Sequence, residues 1–146
     1  MSDPYNLQRF VDAQDGVYAN VRAELTAGRK RSHWMWFIFP QIAGLGFSAM
    51  AQRFAIGSRA EALAFLAHDV LGPRLTECTG LVMCVTGKTI HDILGSPDDL
   101  KFRSSLTLFA AVSDNPLFTD AIAKYFAGAK DQATLDHLSR FDGLGR

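Results

Sequence analysis

Apolar residues along this chain recur every three or four positions, the period of an amphipathic helix. Leu7, Phe10 and Val11 keep that spacing behind Asp3-Pro4, an N-cap followed by a first-turn proline. Val17, Val21 and Leu25 form a second stripe, with Asp15 as its expected cap and Gly28 as a left-handed stop. Ser58-Arg59-Ala60-Glu61 has capping-box spacing ahead of Leu63, Phe65 and Leu66. An apolar-rich segment follows over about 70–85, and Thr89 with Asp92 opens a short turn that ends at Gly95. The clearest start is Ser96-Pro97-Asp98-Asp99, where Ser96 is the expected cap and two acids complement the helix dipole. Phe102, Ser105, Leu106 and Phe109 share a face behind it. Asn115-Pro116 opens a helix that Gly128 closes. Asp131 is then the expected cap of a last short helix holding Leu135 and Leu138, before a tail that frays from about 142.

Alternation of period two never persists. Only 34–39 and 81–85 have the composition of buried strands, and two strands alone make a marginal sheet, so both are read as helical or irregular. The pattern therefore predicts an all-α fold over 1–146, a single compact domain of roughly six to eight short helices.

Composition narrows the function classes. At 146 residues the chain suits one domain that needs no metal or disulfide staple. Fifteen Lys and Arg balance fifteen Asp and Glu, which argues against non-specific nucleic-acid binding and against a polybasic membrane surface. The opening Met1-Ser2-Asp3-Pro4 has neither the charge nor the apolar stretch of a secretory signal, and the longest apolar run is too short to span a bilayer. Cys78 and Cys84, six residues apart on a predicted helix, are too distant to pair. Free thiols without an export signal point to a soluble, cytoplasmic protein. No cofactor fingerprint, phosphate-binding loop or metal-ligand spacing appears, so no cofactor and no metal are expected.

The richest stretch is 28–41. Arg29, Lys30 and Arg31 follow a helix end; His33, Trp34 and Trp36 come next, and an apolar run closes on Pro40-Gln41. One reading makes this an anionic-ligand site. Arg29 and Lys30 would hold phosphate, Trp34 or Trp36 would stack, Gln41 would line the pocket and His33 would move a proton. The plainer reading has the cations complementing a helix dipole and the rings filling the core; both stand at this point. On the 97–112 helix, Asp99, Arg103 and Thr107 form a polar stripe opposite Phe102 and Phe109, with an Asp99–Arg103 ion pair expected. The second half of that helix is apolar almost all round, which marks it as central. Asp99, Arg103 and Ser104 then need partners, structural or in a pocket.

Four stretches carry a family resemblance: Asp3-Pro4-Tyr5-Asn6-Leu7-Gln8-Arg9-Phe10, residues 28–41, Leu71-Gly72-Pro73-Arg74-Leu75, and residues 95–105 from Gly95-Ser96-Pro97 onward. On these the chain resembles the bacterial family known as domain of unknown function 1810, over nearly its whole length. The resemblance implies a mainly helical fold and brings no established activity. The name calpastatin, attached to some relatives, does not suit an aromatic-rich, non-repetitive chain. Residues 103–110 followed by Asn115-Pro116-Leu117 also resemble helical N-glycosidases acting on ADP-ribose-like compounds, although no catalytic motif of theirs aligns.

Two functions follow as expectations. The first is a small-molecule enzyme or binder for an anionic, phosphorylated nucleoside-like ligand, possible N-glycosidase chemistry included. It has His33 and Asp99 as acid or base and Arg29, Lys30, Trp34, Trp36, Gln41, Arg103 and Ser104 around the ligand. The second is a non-catalytic helical protein-interaction module. The first requires 28–41 and 96–105 to meet in space.

Overall fold

Helical periodicity with frequent stop signals yields many short helices wrapped around two longer ones. The computed structural model describes residues 3–144, with side chains through 140. Among these, ten helices and no strand occur: α1 Gln8–Asp15, α2 Tyr18–Thr26, α3 Met35–Ile38, α4 Ala49–Arg53, α5 Arg59–Ala67, α6 Leu71–Cys84, α7 Ile90–Leu94, α8 Asp98–Val112, α9 Pro116–Phe126 and α10 Gln132–Leu144. The all-α expectation holds. The two helices that punctuation did not announce, α3 and α4, are single turns. The tail expected to fray continues as α10 to Leu144, and its residues 145–146 lie outside the described residues.

The caps show which local signals acted. Asp3 accepts from the Leu7 and Gln8 N–H groups at 2.8 and 3.0 Å, and Ser58, Thr89 and Asn115 cap α5, α7 and α9. Three expected caps are absent. Asp3-Pro4 lies ahead of α1, whose N-cap position is Leu7 without a side-chain cap, so Asp3 reaches Leu7 and Gln8 from outside the helix and Pro4 is not in its first turn. Asp15 ends α1 and pairs with Arg74 at 3.0 Å, while α2 starts after Val17 with no side-chain cap. Ser96 gives way to Pro97 at the start of α8, across a cis Ser96–Pro97 peptide, so the two acids Asp98 and Asp99 occupy the first turn uncapped. Both acids still complement the helix dipole.

The predicted central helix is central. α8 packs against α5, α7, α9 and α10, and α6 packs against α2, α3, α5 and α9. Phenylalanines link these layers in two series. Phe54, Phe10, Phe65, Phe109 and Phe118 follow one another with ring centroids 5.0–6.0 Å apart. Trp34, Phe39, Phe102 and Phe126 form the second, at 4.8–6.4 Å. Each such contact adds about 0.5–1.5 kcal/mol beyond area burial, which gives the abundant phenylalanines a structural purpose.

One non-helical feature positions the site. Ile42 and Ile56 form an isolated parallel bridge, with Ala43 N–H donating to Ile56 O and Ile56 N–H to Gln41 O. Arg9 adds hydrogen bonds to the carbonyls of Arg53 and Ala55, both at 2.8 Å. The segment between the two isoleucines is thus a loop with tied ends, the design of an Ω-loop. It carries α4.

Candidate functional site

The cationic stretch is anchored by one carboxylate. Glu24, near the end of α2, accepts from Arg31 N–H at 2.6 Å, Ser32 N–H at 3.0 Å, the Ser32 hydroxyl at 2.6 Å and the Trp34 indole at 3.0 Å. Burial alone would raise its pKa. The Ser32, Arg31 and Trp34 donors more than offset that and hold it down at about 2. This clamp sorts the stretch by direction. Lys30 turns inward, its side chain only 7% exposed, and meets Asp98 of α8 at 2.9 Å beneath the Trp34 ring. Trp34 is 1% exposed and is a core residue. Arg29, Arg31 and His33 face solvent.

The two distant stretches do meet, each contact joining a residue singled out in 28–41 to one on α8 that was not. Lys30 joins Asp98, and Lys101 of α8 lies over the Trp36 ring, 5.2 Å from its centroid. Beside these contacts a groove of about 400 Å³ opens between the Ile42–Ile56 loop, the start of α8 and the start of α10. Gln41, Lys101, Ser104 and Asp131 give it polar groups; Leu45, Phe47 and Leu100 give it apolar walls. Phe47 is 82% exposed and Leu100 54%, so both rings and chains stand open at the rim. Gln41 and Ser104, named from sequence, line this groove; Arg29, Lys30, His33, Trp34, Trp36, Asp99 and Arg103 do not.

The polar stripe of α8 finds its partner in Asp131. The expected Asp99–Arg103 pair is replaced: Asp99 lies 3.3 Å from His91 Nδ1, and Arg103 Nη2 faces Asp131 Oδ1 at 3.8 Å. A four-residue spacing brings side chains within reach, but α7 and α10 supply nearer partners. Asp131 Oδ2 receives the Ser104 hydroxyl at 2.9 Å, the Thr134 hydroxyl at 2.5 Å and the Thr134 N–H at 3.2 Å. Its own N–H donates to Thr107 Oγ1 at 2.9 Å. The carboxylate is therefore fixed by one oxygen, with the other left toward the guanidinium.

Three groove residues escaped sequence reasoning. Asp131 carried only a helix-cap signal, which it also satisfies, and a cap says nothing of a second oxygen. Lys101 sat inside the 95–105 stretch, three residues after Asp98, with which it pairs at 3.8 Å. Phe47 followed a Gly-Leu-Gly run that reads only as a loop. Nucleophile chemistry gains no support from Cys78: burial, opposed by the Tyr18 hydroxyl, pushes its thiol up to about 12. Among the described residues no group of three His, Cys, Asp or Glu could hold a metal ion, and no helix is long and apolar enough to cross a membrane.

Fold and groove together define a small all-helical domain with a polar cleft beside a tied loop. The family model for proteins of unknown function termed DUF1810 matches residues 4–138, and the chain belongs to that family. It is 56% identical to the conserved hypothetical protein Rv1873 from Mycobacterium tuberculosis, known from a crystal structure at 1.38 Å. That match covers 94% of this chain and 99% of the other, with a TM-score of 0.93. Among curated proteins none is similar to it.

Proposed function

We propose that the groove binds a small anionic ligand of the phosphorylated-nucleoside kind. The observation that carries this reading is the convergence of Gln41, Lys101, Ser104 and Asp131 on one cleft with an open phenylalanine ring. Lys101 supplies a point charge for phosphate. Phe47 offers the stacking face first sought at Trp34 and Trp36, which core packing and Lys101 cover. Asp131, Ser104 and Gln41 offer hydrogen bonds to a sugar. The site mixes few polar groups with apolar walls, the usual make-up of a small-molecule site. A finer reading, N-glycosidase-like cleavage of the bound nucleoside, draws on the resemblance of 103–117 and on a carboxylate in the cleft. Free thiols fit a cytoplasmic setting for such a ligand.

Isothermal titration with AMP, ADP-ribose and ribose 5-phosphate tests the reading. At least one is expected to bind, and Lys101→Ala is expected to weaken it about tenfold, the loss of one charge-assisted contact. Failure of all three removes the proposal; release of free base, followed by chromatography, decides the cleavage. The competing reading is an interaction module, favoured by Phe47 and Leu100 standing exposed on the same rim. Self-association in light scattering that Phe47→Ser abolishes, without ligand binding, would favour it.

A further inference from the structure

Asp131 and Arg103 face each other without completing a bond. Oδ2 of Asp131 is filled by three donors from Ser104 and Thr134, whereas among the described residues Oδ1 has only Arg103 Nη2 at 3.8 Å. That separation exceeds a hydrogen bond. Arg103 is held short of closing it while its ring-facing side lies over Phe126, and its Nε, buried, has no partner among the described residues. An acceptor of the groove lining, Asp131 Oδ1, thus lies beside a guanidinium that stops short of it; Arg103 stands behind the lining rather than in it.

A hydroxyl is the group that answers both, because its oxygen accepts while its hydrogen donates. Phosphate answers only the guanidinium and is repelled by the carboxylate. An amine answers only the carboxylate. We infer that Asp131 is a specificity-determining residue that selects a ribose: Oδ1 accepts from a ribose hydroxyl whose oxygen accepts from Arg103 Nη2. Carboxylates recognise ribose hydroxyls in this manner on unrelated folds. This inference rests on the nucleotide reading of the groove and adds a sugar preference to it.

The isostere Asp131→Asn separates the two oxygens. Its carbonyl can keep the Ser104 and Thr134 donors, and asparagine caps helices as well as aspartate, so the fold is retained. Its amide N–H₂ then stands where Oδ1 stood, a donor facing a guanidinium. The experiment is calorimetric titration of AMP, 2′-deoxy-AMP and 3′-deoxy-AMP into the wild-type chain and into Asp131→Asn. In the wild type, AMP is expected to bind about tenfold more tightly than at least one deoxy analogue, as for loss of one hydrogen bond to a charged group. In the variant that preference is expected to vanish while deoxy binding stays within about twofold. Equal wild-type affinity for all three overturns the ribose inference and leaves the nucleotide reading intact. Retention of the preference in Asp131→Asn moves the selection to another residue and overturns the role given to Asp131. Absence of binding by all three overturns both.

Discussion

Glu24 and Asp131 are two carboxylates that gather donors from neighbouring segments, and they differ in what they leave over. Glu24 spends both oxygens on Arg31, Ser32 and Trp34. Asp131 spends one on Ser104 and Thr134 and keeps the other near Arg103. A saturated carboxylate shapes a loop; a half-saturated one in a groove retains capacity for a ligand. A similar contrast separates Lys30, buried 2.9 Å from Asp98, from Lys101, which lies 3.8 Å from the same carboxylate and over Trp36 and still lines the cleft.

Several substitutions would break or sharpen this contrast. Glu24→Ala orphans the buried Trp34 indole and two backbone donors, and a loss of about 2–4 kcal/mol in urea unfolding is expected. Asp131→Ala removes the partner of three donors, against four at Glu24, so about 1–2 kcal/mol is expected, below the Glu24 value. A larger loss at Asp131 than at Glu24 would invert the assignment. Lys30→Met leaves Asp98 with the longer Lys101 contact at 3.8 Å and is expected to cost about 1–3 kcal/mol by thermal denaturation, while the exposed neighbour Arg29→Met stays within about 0.5 kcal/mol.

Acid should report on Glu24 as well. Its folded pKa of about 2 lies below the ordinary 4.5, so the folded state holds fewer protons there than the unfolded chain between those values. Its stabilisation is complete above about pH 4.5 and fades as pH falls toward 2. Stability measured across that window should fall less steeply in Glu24→Gln than in the wild type. Parallel curves would show that the four donors do not tune this group.

Much of the architecture was legible because helix signals are local. Ser58, Thr89 and Asn115 sit where their caps were expected, and the all-round apolar second half of α8 marked it as central. Ser96 and Asp15 failed for a tertiary reason: Asp15 is taken by Arg74, sixty residues' worth of fold away, and the turn at Pro97 shifts the first helical residue to Asp98. The site was half legible. Residue types in 28–41 and 96–105 announced chemistry, and the segments do adjoin through Lys30–Asp98 and Trp36–Lys101. Periodicity could not say that Lys30 would turn in while Arg29 turned out, since Glu24 decides that from another helix. Nor could it pair Arg103 with Asp131 in place of Asp99, because the i, i+4 rule sees one helix at a time.

The tie between Ile42 and Ile56 has a practical side. Both ends of that segment leave the bundle at one point, held by two backbone bonds and by Arg9. It is therefore an exchangeable cassette, and grafting sequences of other lengths between those two isoleucines would remodel one wall of the cleft while the helices beneath keep their places.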